Sequence, residues 1–272
     1  MYLAYNTNGL AHHRLDEALR MLADLGYGGV AITPDVPHLD LLRTGEADWE
    51  KTRALLDRLK LRRVVETGAR YVLDARRKHW PNLCTPDDAA AERRLDWYRR
   101  ACRLSNALGA EGVSIWSGPL EPGDAPDAAF PRLVKRLHRA LDDAEGARIC
   151  FEPEPGMLID SLSRYRQLRA KLGRQDLWTT IDTGHLVVTE PGEPQSHLAE
   201  FAGSLINVQV DDARRGVHEH LAPGQGIVDF AAIFRELKRL NYKGPLALEL
   251  SRDSHRAADA AAEAYAKLAP LL

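Results

Sequence analysis

Short apolar runs of four or five residues alternate along this chain with longer, charge-rich segments in which apolar residues recur every three or four positions. The short runs read as strands buried on both faces, and the longer segments as amphipathic helices. Eight such pairs are found, with strands expected at 2–6, 29–33, 63–66, 112–116, 148–152, 178–182, 206–210 and 246–250. The helices are expected at 15–25, 49–59, 86–108, 130–145, 162–172, 195–201, 228–240 and 257–272. The first is typical: Leu15, Leu19, Leu22 and Leu25 share one face, and Gly26 ends the run. Eight strand–helix units in succession predict a parallel sheet of the α/β class, closed as a single (β/α)8 TIM barrel. The length of 272 residues agrees with the roughly 250 usual for that fold, and no Pro/Gly/Ser-rich stretch divides residues 1–272 into two domains.

Parallel barrel strands all end on one face, so residues far apart in sequence meet there. Four late strands finish on or near a metal-competent oxygen: Glu152 in RICFEPEPG, Asp182 in WTTIDTGH, Gln209 in INVQVDD and Glu249 in PLALELS. Any one of them is equally readable as a helix cap or a surface residue. Four in register from consecutive strands point instead to a shared site. Three carboxylates and an amide oxygen form a hard donor set, suited to one divalent ion, Mn²⁺ or Mg²⁺ first, with Co²⁺ or Zn²⁺ as alternatives. Glu154, two residues on, braces the turn or replaces Glu152 if the register differs by two.

Two long loops, 67–87 and 211–227, follow strands and are placed to form a substrate rim. The second is dense in charge, with Asp211, Asp212, Arg214, Arg215, His218, Glu219 and His220. It reads either as a solvated rim or as a substrate contact with Arg215 as the anchor for an oxygen-rich ligand. His218-x-His220 has a metal-ligand spacing but is a weak signal alone. His185, in the loop entering the helix after Asp182, is a candidate donor to a substrate oxygen. Glu66, Arg70, Lys78 and His79 near the third strand are candidates for hydroxyls or phosphate, or a solvated loop; His12 and His13 read the same way.

Composition narrows the partners. With 37 basic against 39 acidic residues the net charge is −2, which argues against a nucleic-acid binder and favours a small molecule. Three cysteines without a CxxC pair suggest neither a disulfide framework nor a thiolate zinc site, and fit a reducing cytoplasm. No apolar run reaches the roughly 18 residues of a membrane span, and the first residues do not read as an export signal.

These residues resemble the xylose-isomerase-like barrel superfamily, in particular its sugar (phosphate) isomerase/epimerase branch, which includes hydroxypyruvate isomerase, D-tagatose 3-epimerase and inosose dehydratase. The resemblance implies that Glu152, Asp182, Gln209 and Glu249 hold one divalent metal, with Gln209 where many members have His. It further implies substrate binding by His185 and Arg215 and marks His220 of HLAPGQG as an active-site neighbour; Asp212 in the charged loop and Glu66 near the third strand are taken as further substrate contacts from their positions. A homodimer or homotetramer acting on a sugar or sugar-derived keto compound is the implied state.

The chemistry expected is proton transfer through an enediolate between Glu152 and Glu249, giving epimerisation or isomerisation. An inosose-type dehydratase on the same site, a non-catalytic sugar-binding accessory barrel and an endonuclease IV-like phosphodiesterase are the rival readings; the neutral charge and Gln209 count against the last.

Overall fold

The computed structural model describes residues 1–68 and 70–272. Eight strands close a parallel barrel: β1 (Tyr2–Asn6), β2 (Gly29–Ile32), β3 (Arg62–Glu66), β4 (Val113–Ile115), β5 (Ile149–Phe151), β6 (Leu177–Asp182), β7 (Leu205–Val210) and, after a hairpin of β8 (Asp212–Arg214) and β9 (Val217–Leu221), β10 (Pro245–Leu248). The ring runs β1-β10-β7-β6-β5-β4-β3-β2. It closes where Tyr2 pairs with Pro245 and Tyr5 with Leu248.

The outer helices are α1 (Leu15–Asp24), α2 (Glu46–Leu59), α3 (Asp88–Leu108), α4 (Pro126–Asp142), α5 (Leu162–Leu172), α6 (Thr183–Thr189), α7 (Phe230–Arg239) and α8 (Ala257–Leu268). Their apolar faces pack on the outward strand residues in one continuous core, as Leu19 and Leu22 do with Val30 and Ile32. Caps set several boundaries that apolar period could not. Asp87 accepts from the Ala89 and Ala90 N–H groups at the start of α3, which ends at Gly109 in a left-handed conformation. Asp48 reaches back to the Gly45 N–H, so α2 begins at Glu46, ahead of its first apolar residue.

Two expectations are corrected. Residues 195–201 are a 3₁₀ turn (Pro194–Phe201), and the helix that follows β6 is α6, which starts immediately after Asp182. His185 therefore sits on a helix rather than in a loop. Much of the predicted loop 211–227 is the antiparallel β8–β9 pair, with Asp212 opposite Leu221 and Arg214 opposite Val217. Its polar side chains disguised the two-residue strand period.

Inside the bore, Ala4, Ala31, Val64 and Ala247 form a layer of small residues. Two positions further along β1, β3 and β10 the same faces carry Asn6, Glu66 and Glu249, so the apolar layer is the floor beneath a polar one. Among the described residues, no helix is long and apolar enough to cross a membrane.

Candidate active site

A cavity of about 540 Å³, counting the solvent at its mouth, opens above that polar layer; its lining includes Glu66, Glu152, Glu154, His185, Gln209, His220 and Glu249. This size is within the roughly 300–1,000 Å³ of ligand pockets. Asp182 is the hub. It caps α6 by accepting the His185 N–H on Oδ1 at 2.8 Å. Oxygens of Asp182 and Glu152 and a His185 nitrogen lie within 4.8 Å of one another, as do those of Asp182, His220 and Glu249. Glu152 and Glu249 each stand one residue beyond the strand that carries them.

The second atoms of these groups decide what the site can hold. Asn207 Nδ2 donates to Glu66 Oε1 at 2.5 Å, and the Gln209 amide also hydrogen-bonds Glu66. A carboxylate only accepts, so Gln209 commits its NH₂ there, and its Oε1 is left buried without a partner. Asp182 Oδ2 is in the same position. Buried acceptors without donors are costly, and their pairing with ionised carboxylates suits a cation rather than another acceptor. Glu249 is oriented by Asn8, whose Nδ2 donates to Oε1 at 2.8 Å. Glu152 has Ser114 Oγ at 3.5 Å and His185 Nδ1 at 3.4 Å. The residues thus fit one divalent ion held by Glu152, Asp182, Gln209 and Glu249.

Electrostatics reinforce that fit. Burial, with the charges of Glu66, Glu154, Glu249 and Asp182, drives the Glu152 carboxyl well above its usual range. Burial and Glu249 do the same to Glu66, and burial with the Glu249 charge lifts Glu154 to about 8. Without a cation several of these groups take up protons. Burial opposes ionisation of Asp182 too, yet His185 and His220 overcome it and hold its carboxyl below the ordinary value. Desolvation drops His185 to about 4, so the ring is neutral near pH 7. His218 falls to about 4 by burial and the neighbouring His220. Burial works against charge at His220 as well, but Glu249, Asp211 and Asp182 raise it to about 10.

Of the candidates named from sequence, Glu66, Glu152, Asp182, His185, Gln209, His220 and Glu249 are brought together. Arg215 is not. It occupies the exposed hairpin turn, where its guanidinium donates to the Gly192 carbonyl at 3.1 Å. Asp212 is buried and turned away from the cavity, with its carboxylate spent on backbone N–H groups of the segment 213–228. A charged, turn-rich segment conceals which of its acids faces inward. Arg70, Lys78 and His79 reach the cavity from the loop after β3. Buried arginines of α3 and α4 anchor that loop: Arg94 donates to the Pro81 carbonyl at 2.7 Å, and Arg136 to those of Leu83 and Thr85 at 2.8 and 2.5 Å.

Sequence reasoning passed over Asn6, Asn8, Trp116 and Asn207. Three of these obey the strand-end rule applied to the late strands: Asn6 ends β1, Asn8 follows it, and Trp116 follows β4. Asn207 shares the face of Gln209, two residues away.

The profile of the xylose isomerase-like TIM barrel family matches residues 19–271, and the chain belongs to that family. Its relatives include the L-ribulose-5-phosphate 3-epimerase UlaE of Shigella flexneri, 27% identical over 252 residues that cover 91% of this chain and 85% of the relative. Among solved structures, the D-allulose 3-epimerase of Methylomonas sp. with D-allulose bound is similar at a TM-score of 0.79 and 21% identity, covering 100% of this chain and 97% of the other. The 3-keto-D-glucoside 4-epimerase YcjR of E. coli has a TM-score of 0.80 at 17% identity, with 99% of each chain covered. At such identities the structural likeness speaks for the fold.

Proposed function

We propose that this barrel is a sugar or sugar-phosphate epimerase dependent on a divalent cation, with Glu152 and Glu249 as the two proton carriers. The observation that carries the reading is the placement of these glutamates. They come from β5 and β10, on two flanks of β6, and both reach within 4.8 Å of Asp182. One carboxylate removes the proton from the carbon beside a carbonyl, and the C–H electron pair moves toward the carbonyl oxygen. The other returns a proton to the opposite face of the same carbon, which inverts it; return to the neighbouring carbon would isomerise the sugar instead. The 3- and 4-epimerase activities in the relatives' names favour inversion.

Bound at Glu152, Asp182, Gln209 and Glu249, the cation would supply Lewis-acid stabilisation of the developing oxyanion. Asn8 fixes the Glu249 carboxylate, and the neutral His185 ring stands 3.4 Å from that of Glu152. Glu66, clamped by Asn207, faces the substrate's remaining hydroxyls.

The test is solvent-deuterium incorporation at the inverted carbon, with L-ribulose 5-phosphate and D-allulose as probes. Glu152→Gln and Glu249→Gln should each abolish exchange while the thermal transition is kept. Full exchange in either variant removes that carboxylate from the mechanism.

A further inference from the structure

A hydrogen-bonded path leads from β2 to the Glu249 carboxylate. Asn6, the last residue of β1, caps the turn Thr7–Leu10, its Oδ1 accepting the Asn8 N–H at 3.2 Å. Taken alone, that contact is an ordinary cap. The same oxygen also accepts from Thr33 Oγ1 at 2.6 Å, and Thr33 is the residue that follows β2. A cap does not need this second donor. Because Asn8 presents an N–H, the Asn6 atom facing it is the amide oxygen, and the Thr33 hydroxyl must be the donor to that oxygen.

Asn8 carries the constraint into the site. Its Nδ2 donates to Glu249 Oε1 at 2.8 Å, while its carbonyl takes Arg70 Nη2 at 3.0 Å and Ser254 Oγ at 3.2 Å. Thr33 is tied in turn, since its N–H donates to Thr7 Oγ1 at 2.9 Å. Asn6 and Thr33 are both buried, so water does not compete for these bonds and the low local dielectric strengthens them. Asn6 and Asn8 line the cavity, whereas Thr33 stands behind them and outside its lining. The contacts of the other proton carrier are longer: Glu152 has Ser114 Oγ at 3.5 Å and His185 Nδ1 at 3.4 Å.

We propose that Thr33 and Asn6 are positioning residues that act through Asn8 to hold the Glu249 carboxylate in the orientation proton transfer requires. The catalytic consequence rests on the epimerase reading above; the relay itself does not.

The experiment uses the full chain loaded with Mn²⁺, with rates expressed per bound ion so that unfolded protein does not count. Thr33→Val keeps the branched shape and loses the hydroxyl, Thr33→Ala guards against a valine that packs badly, and Thr33→Ser returns the hydroxyl. On the ketose probes, kcat should fall about tenfold in the first two variants with KM within about twofold of wild type, a part of the roughly hundredfold that a misplacement of about 1 Å can cost. Thr33→Ser should recover it. A kcat unchanged in both variants overturns the proposal, as does a loss that Thr33→Ser leaves in place or a rise in KM at constant kcat. A second readout needs no turnover: in protein labelled with ¹⁵N-asparagine, the Asn8 side-chain amide, assigned by its absence from Asn8→Asp, should exchange with solvent slowly in wild type and Thr33→Ser and several-fold faster in Thr33→Val. Equal exchange in all three overturns the relay. Should wild type exchange no proton from any ketose, the epimerase reading falls, and the amide alone decides whether Thr33 reaches Glu249.

Discussion

The carboxylate of Asp212 and the backbone N–H of Gly226 meet at 2.8 Å, in a space so tight that a Cβ on Gly226 would lie 2.4 Å from Asp212 Oδ1. The same carboxylate accepts from Gly224 at 2.8 Å, Val228 at 2.9 Å and Ala213 at 3.0 Å. Asp212 is thus the knot that ties the hairpin to the segment leading into α7. Asp212→Ala strands these donors, and each unsatisfied buried group costs about 1–3 kcal/mol. A loss of about 3 kcal/mol in urea unfolding is expected after partial rehydration of the segment, with faster protease nicking within 211–228. A change below about 0.5 kcal/mol, the scale of an ordinary surface substitution, would show that the knot holds nothing.

Gly184 makes a second close approach. Its N–H donates to Asp211 Oδ1 at 3.0 Å, and a Cβ there would lie 2.2 Å from that oxygen. Gly184→Ala must push Asp211 away from α6, at about 1–3 kcal/mol of overpacking strain. The variant should lower the urea midpoint accordingly. Wild-type stability would show that the close approach is relieved without strain.

The pH dependence of the chelated protein follows from the direction of each shift. Glu154 is raised from an ordinary carboxyl value to about 8, so its contribution to stability is full below about pH 4.5 and fades as pH rises through about 8. His220, raised to about 10, acts in the same sense at higher pH. His185 and His218, lowered to about 4, act oppositely, but their effect is confined between about 4 and 6.5. Above pH 6.5 the two lowered histidines no longer contribute, and Glu66 and Glu152, raised by burial like Glu154, act in the same sense as the first pair. Metal-free protein should therefore be less stable at pH 8.5 than at 6.5 in urea unfolding, and Mn²⁺ should reduce the difference. A flat or rising profile in chelator would count against a crowded acid cluster.

Arg136 is buried, and its guanidinium donates to two carbonyls of the loop that brings Lys78 and His79 to the cavity. Arg136→Leu fills much of the same volume but removes both donors. Because it acts on the rim and not on the proton carriers, KM should rise by about tenfold, equivalent to about 1.4 kcal/mol, with kcat little changed. An equal fall in kcat would place the loop in the chemical step.

The fold was legible because a barrel writes itself in repeated units: every barrel strand lies within a residue or two of its apolar run. The late-strand candidates were legible for the same reason, since Glu152, Asp182, Gln209 and Glu249 each lie at, or within a residue of, the end of a run whose period is plain. What escaped was structure made from polar residues. The β8–β9 pair has its alternation in Arg, His and Glu, and α6 is short and begins on Thr-Gly, which reads as a turn until Asp182 is seen capping it. Asp212 shows the limit most directly, because its neighbours in sequence say nothing about which N–H groups will surround its carboxylate.

A closed ring of strands has no free edge, whereas the β8–β9 hairpin is an open two-stranded ribbon. Exposed ribbon edges are where foreign chains add on and where aggregation starts. This ribbon is three residues long on one side and five on the other, and it carries the Arg214–Glu219 ion pair. Short length and guarding charge together make it a poor template. Neutralising both Arg214 and Glu219 is therefore expected to remove that guard and favour strand-by-strand self-association in concentrated solution.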